Sequence, residues 1–346
     1  MKKRVFELDF VRALAAILII MTHFNARYMF IGTPEAYSKM IVGIDTFNIY
    51  IGALGVSLFL IISGAALMLT YENNFTLKKF WKKRFLSIYP MFWLAYFVAF
   101  LHHFYHNKGL MFAQAPKFNI IYSILGIDGY LSNANVPTFY LLGEWFLGLI
   151  LLIYVIFPIL RWGVIKHPII TFLVGMGLYV FGIIYQPDVL PQNMVLFVRL
   201  PEVLFGMYFQ KYVKEVKWFW VIIAVGVLGL NTCLKPEFNQ CLQTTYIGIA
   251  AFIVLFFVGK WIKNLHVITR FCEIISKYSY AIFLTHHYII AFVMAEFDLN
   301  TITVCESYIL FILICCLIAI FTKLLFAGNE YMMKHIWNRL GNKGNK

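Results

Sequence analysis

Long apolar runs recur along the whole chain, separated by short polar stretches rich in Lys, Asn and Pro. They fall at residues 10–30, 47–70, 85–105, 139–160, 168–186, 194–210, 218–234, 243–262, 278–297 and 304–326. About twenty apolar residues carry a helix across a bilayer core. A membrane β-barrel would instead show short segments of alternating polarity, and none stands out. The pattern predicts an all-α polytopic membrane protein of about ten transmembrane helices, a single integral membrane domain over residues 1–346. The longest connection, near 106–138, carries Pro116, Asn133, Asn135 and Pro137 and reads as turns. No internal repeat, low-complexity tract or heptad array stands out. The first run follows Met1, Lys2, Lys3 and Arg4, but no small-residue cleavage site closes it. It reads as a retained helix and not as a signal peptide.

Composition agrees. The chain is 62% hydrophobic and 13% charged, whereas soluble domains are about 45–50% apolar. A net charge of +13 would suggest nucleic acid until the cations are placed. One set of loops holds Lys2, Lys3, Arg4, Arg12, Lys78, Lys79, Lys82, Lys83, Arg84, Arg161 and Lys166. The same side takes Lys211, Lys214, Lys217, Lys260, Lys263, Arg270, Lys277 and the tail from Lys323 through Lys334, Arg339 and Lys343 to Lys346. The opposite side has Arg27, Lys39, Lys108, Lys117 and Lys235, so the split is 23 against 5, with Arg199 inside a span. Cytoplasmic loops are enriched in Lys and Arg, so both termini are expected in the cytoplasm. The charge is a topology signal, and no nucleic-acid partner is expected. The six cysteines show no metal-type spacing. Cys233 and Cys241 flank one short loop and would pair only if it is extracytoplasmic; buried, inert thiols are the default.

Ionisable residues inside spans mark candidate sites. Arg12, His23, Glu144, Arg199, Glu202, His286 and His287 are of this kind. Eleven residues separate Arg12 from His23, about three helical turns plus 20°, so the two share a face about 16 Å apart. Arg12 reads either as a snorkelling anchor or as a clamp for an anion at the cytoplasmic mouth. His23 reads either as an interhelical hydrogen bond or as a base deep in the membrane. Glu144 and Arg199 lie about 8 Å, and His23 about 10 Å, below the outer surface by helix rise, in one layer. That layer is either a set of neutralising pairs, such as Glu144 with Arg199, or the lining of a cavity. His286 is about 12 Å inside its span, and His287 points about 100° away, toward packing or headgroup water.

Several strings resemble those of the acyltransferase-3 family of integral membrane proteins. "ELDFVRALAAILIIMTHF" is similar to the family's opening, with Leu8, Asp9, Arg12 and His23 in place. "GALGVSLFLIISGAALM" resembles its second span through Gly55, Val56, Phe59, Ser63 and Gly64, with Leu60 where an aromatic is usual. "RFLSIYPMFW" resembles an Arg-x-x-Arg-x-x-Pro stretch, with Arg84 present and Ser87 at the second Arg. "EWFLGLILLIYVIFP", "RLPEVLFGMYF" and "SKYSYAIFLTHH" resemble later family segments, the last giving Ser279, Tyr280, Phe283, Leu284 and His286. The esterase-like periplasmic domain of some members does not follow the tenth span.

The resemblance implies a multi-pass enzyme of a bacterial inner or plasma membrane. It implies transfer of an acyl group, most often acetyl, from cytoplasmic acyl-CoA to a hydroxyl of an extracytoplasmic or lipid-linked glycan. Acetyl-CoA or another acyl-CoA would be a co-substrate, with no permanently bound cofactor and no metal. The partners would be the lipid bilayer, acyl-CoA and the glycan acceptor. Arg12, Lys82, Lys83 and Arg84 would hold the CoA phosphates. His23 would act as the base, directly or through an acyl-enzyme. Glu144 would orient the acceptor or His23, and His286, Tyr280 or Ser63 would stabilise the oxyanion. Arg199 and Glu202, with Tyr280 and Ser63, would contact substrate. A transporter or flippase of a lipid-linked glycan also places charges at mid-depth, but needs neither acyl-CoA nor a base. A non-enzymatic envelope protein would tolerate loss of Arg12 and His23.

Overall fold

The computed structural model describes residues 5–109, 115–185 and 189–343. Lys2, Lys3, Arg4 and Lys346 lie outside the described residues, as do the side chains of Arg339 and Lys343. In chain order the elements begin with α1 (Phe6–Met29), α2 (Pro34–Ser38), β1 (Asp45–Thr46), β2 (Ile49–Tyr50), α3 (Ile51–Tyr71) and α4 (Leu77–His106). Then come α5 (Ile120–Leu125), α6 (Asp128–Ser132), α7 (Glu144–Lys166), α8 (Pro168–Ile184) and α9 (Leu196–Tyr208). The chain closes with α10 (Trp218–Leu234), α11 (Gln240–Ile262), α12 (His266–Ala295) and α13 (Val304–Lys343).

A helix stands at each of the ten apolar runs, so this is an all-α membrane protein. Among the described residues, six of these helices (α3, α4, α7, α11, α12 and α13) are long and apolar enough to span a bilayer. Helices α8 and α10 are apolar but shorter. Two local expectations change. The start of the second run, residues 47–50, forms with residues 45–46 an antiparallel hairpin pairing Asp45 with Tyr50 and Thr46 with Ile49. Its turn residues Phe47 and Asn48 both have positive φ, the backbone that a two-residue turn needs to follow strand twist. Part of the 106–138 connection is also helical, as α5 and α6, rather than turns alone.

The chain divides into two compact units. The first comprises residues 1–26, 40–75 and 149–279. Here α3 is central. It meets α9 with backbone nearly against backbone: a Cβ on Gly206 would overlap the Ile61 carbonyl, and one on Gly64 would overlap that of Val203. Small residues allow this approach, and dispersion between helices replaces the hydrophobic drive that lipid removes. The core is sealed by Val11, Leu58, Ile61, Ala65, Ile247 and Phe252, all fully buried. Asn48, Asn231 and Gln243 form one polar network in this unit. Gln243 accepts from Asn48 at 3.0 Å and Asn231 at 3.1 Å, and donates to the carbonyls of Pro236 and Phe238. Asn231 also donates to the Phe47 carbonyl at 2.6 Å, so the hairpin is pinned to α10 and α11. Cys233 and Cys241 are both free, and Cys233 is exposed rather than buried.

The second unit comprises residues 27–39, 76–148 and 280–346. It holds α4, α5, α6, α13 and the later part of α12. Lys39 donates to the carbonyls of Leu299 and Asn300, both at 2.9 Å, and fixes the α12–α13 turn. Ser307 donates to the Lys39 carbonyl and accepts from Tyr28. Tyr96 of α4 ties down the connection that follows α4 through Ser123 and the Phe139 carbonyl.

Candidate active site

In the first unit, α1 presents Arg12 and His23, both half-buried. One unbroken helix joins them, so the shared face and the separation of about 16 Å follow from helix geometry. Arg12 is held in place. Its Nη1 donates to Ser276 Oγ at 3.1 Å and lies 3.4 Å from Asp9 Oδ1. Ser276 in turn donates to Asp9 Oδ1 at 2.5 Å. Asp9 is buried, so the ring of three groups orients the guanidinium and offsets the cost of burying the carboxylate. Ser276 is a residue that the sequence reading passed over; it stands in the string "SKYSY", 264 residues from Arg12.

Arg199 and Glu202 form an ion pair of their own on α9, Nη2 to Oε1 at 3.2 Å. Glu202 is thus the carboxylate that neutralises Arg199 within the first unit. The spacing is i,i+3 on one helix, which brings side chains to the same face. The pair is sealed, with side chains 2% and 0% exposed. Ser63 is half-buried on α3, next to the Gly64 crossing point.

In the second unit, Glu144 opens α7 with φ +44, a left-handed backbone unusual for a non-glycine residue. Gly143 before it has φ +106. Such strain costs on the order of 1–3 kcal/mol and collects at functional sites. Gly129 of α6 makes the turn possible, since a Cβ there would stand 2.9 Å from the Glu144 carbonyl carbon. The Glu144 carboxylate meets Nδ1 of His287. His287, expected to face packing or headgroup water, is 41% exposed and also reaches Glu144, because tertiary contact outweighs the offset of one helical step. Tyr140 adds a hydrogen bond, its hydroxyl donating to the Glu144 carboxylate.

His286 is buried and directs Nδ1 at the carbonyls of Ile282 and Phe283, at 3.0 and 2.9 Å. Those acceptors hold a proton on Nδ1, which leaves Nε2 as the ring nitrogen that gains or loses a proton. Tyr280 donates its hydroxyl to the Ile88 carbonyl at 3.1 Å. Lys82 and Lys83 are exposed on the first turns of α4, and Arg84 is half-buried. Ser87, in place of the second Arg of that string, donates to the Lys83 carbonyl at 2.5 Å. Of the expected site residues, Arg12, His23, Ser63, Arg199 and Glu202 belong to the first unit. Lys82, Lys83, Arg84, Glu144, Tyr280 and His286 belong to the second.

A family model described as an acyltransferase domain, acyltransferase-3, matches residues 5–328. The chain belongs to the acyltransferase-3 family. The match covers both compact units of the acyltransferase and every site residue named above. No curated protein and no solved structure matches the acyltransferase. The family makes this a membrane acyltransferase, and it does not favour the transporter reading.

Proposed function

We propose that the acyltransferase moves an acyl group, acetyl in the first instance, from cytoplasmic acyl-CoA to a hydroxyl of an extracytoplasmic or lipid-linked glycan. One observation carries the donor half. Arg12 is fixed by Asp9 and Ser276 on the same helix, and on the same face, as His23. A fixed guanidinium binds a phosphate with little ordering cost. A pantetheine arm starting there reaches the level of His23 after about 16 Å. His23 takes the proton of the acceptor hydroxyl as its oxygen attacks the thioester carbonyl carbon. The carbon–sulfur bond then breaks, and the proton passes from the imidazolium to the CoA thiolate. Lys82, Lys83 and Arg84 add positive charge for the CoA phosphates. In the second unit, the strained Glu144 with His287 and Tyr140 is assigned to the acceptor hydroxyl, and His286, when protonated at Nε2, to the oxyanion. Arg199 and Glu202 are assigned a supporting role, given their burial.

The test is calorimetry of acetyl-CoA and succinyl-CoA binding to detergent-purified protein, with Arg12→Ala and His23→Ala in parallel. Binding should be lost in Arg12→Ala and largely kept in His23→Ala, while transfer is lost in both. Folded wild-type protein that binds neither thioester would overturn the donor assignment.

A further inference from the structure

The second unit carries a groove that the acyl-transfer reading does not use. Helices α4, α12 and α13 enclose a cavity of about 580 Å³. Its walls are apolar, with Ala95, Val98, Leu284, Phe321 and Leu324 among them. Gly328 of α13 closes one end against Leu94, where an added Cβ would lie 3.3 Å from the Leu94 side chain. From Leu94 to His102 the groove follows α4 for about 12 Å. Val98 and Leu324 are exposed, so it opens sideways.

The far end is polar. His102 reaches the Tyr288 hydroxyl with Nδ1 at 2.8 Å, and Tyr288 donates to the Ala99 carbonyl at 3.3 Å. With the phenol proton given to Ala99, Tyr288 accepts from Nδ1–H of His102. The His102 and His106 rings stack at 6.1 Å and 11°. Both also meet the Phe292 ring, at 4.6 and 5.6 Å. Lys108 follows two residues after His106. The two stacked imidazoles offer donors to an anion, and an anion there selects the doubly protonated ring. A hydrocarbon trough ending in anion-binding groups matches one kind of molecule.

We infer that this groove binds an amphiphile with a phosphate head, its chain along Val98 and Leu324 and its phosphate on His102 and His106. Leu142 lines the groove, and Glu144 lies two residues on. His102 also meets Tyr288, the residue after His287, so a lipid held here places its head near the Glu144–His287 pair, which deepens the acceptor reading and in that respect rests on it. The binding itself does not depend on that reading, because the probe below carries neither acyl donor nor glycan.

The probe is dodecyl phosphate with a terminal diazirine, offered to the full chain in phosphatidylcholine nanodiscs and photolysed. Its comparator is the same chain ending in a hydroxyl. Label should fall on residues 94–102 and 317–328, with the phosphate favoured about tenfold, as for one charge-assisted hydrogen bond. The double variant His102→Gln/His106→Gln should erase that preference, and Val98→Trp, at an exposed position, should lower labelling by both probes. Equimolar inorganic phosphate should leave the label unchanged. The inference fails if the two probes label equally, if label spreads over all lipid-facing helices, or if inorganic phosphate displaces it. Acetyl-CoA binding on the same sample reads the donor assignment separately.

Discussion

Replacing Arg199 by Met leaves Glu202 enclosed without its counter-charge. The two groups are 3.2 Å apart, and Glu202 is 0% exposed. At an effective dielectric constant of about 20, that separation corresponds to roughly 5 kcal/mol of attraction. Removing one member of a buried pair typically costs about 3–5 kcal/mol, because the other charge stays buried. In a membrane protein the unfolded state also finds partners, which moves the expectation toward the lower end, about 3 kcal/mol. Neither Glu202 oxygen has a hydrogen bond of good geometry among the described residues. The pair therefore contributes little beyond mutual neutralisation. The double variant Arg199→Met/Glu202→Leu should accordingly fall within about 1 kcal/mol of wild type. Reversible SDS titration in mixed micelles, followed by circular dichroism, gives the four corners of the double-mutant cycle. The reasoning is refuted if Arg199→Met costs less than about 1 kcal/mol, or if the double variant is as unstable as the single. Transfer assays on the double variant then separate two roles. Restored stability with restored transfer makes the pair structural; restored stability without transfer returns it to the substrate site.

Three further outcomes are expected. Gly206→Ala should destabilise by about 1–3 kcal/mol, because the new Cβ meets the Ile61 carbonyl and lies 2.9 Å from the Ala65 nitrogen. Gly226→Ala, with open space around it, should instead stabilise by about 0.5–1 kcal/mol, and the same SDS titration reads both. Burial pushes the Asp128 carboxyl up to about 6, against opposing hydrogen bonds from Ser123 and Gly129. Its contribution is fully present below the unfolded pKa, about 3.8, and is lost as pH rises through about 6, roughly 3 kcal/mol in all. Asp128→Asn should flatten that part of the stability–pH curve; an unchanged slope would refute the assignment. Glu144→Gly relieves the +44° backbone, so stability should hold or rise by about 1 kcal/mol while transfer is lost. A fall of more than about 2 kcal/mol would make the carboxylate structural instead.

The ten apolar runs located the helices well because lipid forces every backbone donor and acceptor into helical hydrogen bonds. Their ends were less legible. Hydropathy stops where the lipid stops, whereas a helix stops where its capping or a breaker ends it. So α12 runs back to His266 through Arg270 and Lys277, and α13 continues past residue 326 to Lys343. Arg12 and His23 were legible as a pair because one helix carries both. The support of Arg12 by Ser276 was not, because it joins residues 264 positions apart. The Arg199–Glu202 contact was within reach of the i,i+3 rule, but a pairing across helices competes with it on paper. The turn at Glu144 left one trace, the Gly143–Glu144 junction; its strain depends on Gly129, which only the fold brings alongside.

Two ionic pairs show how burial and backbone together sort candidate chemistry. Arg199–Glu202 sits in regular helix and is closed to solvent and substrate alike. No acceptor reaches it without local opening, so neutralisation is its simplest role. The Glu144–His287 pair is different: the side chains are 14% and 41% exposed, and the acid stands on a strained residue. With His287 half-exposed, solvent screens the pair more than it screens Arg199–Glu202, and the strain at Glu144 subtracts from it. A fold retains a net-unfavourable arrangement where position matters more than energy. Sequence depth alone ranked Glu144 and Arg199 together, in one layer. Exposure and φ separate them, and the proposed acceptor role accordingly falls to Glu144.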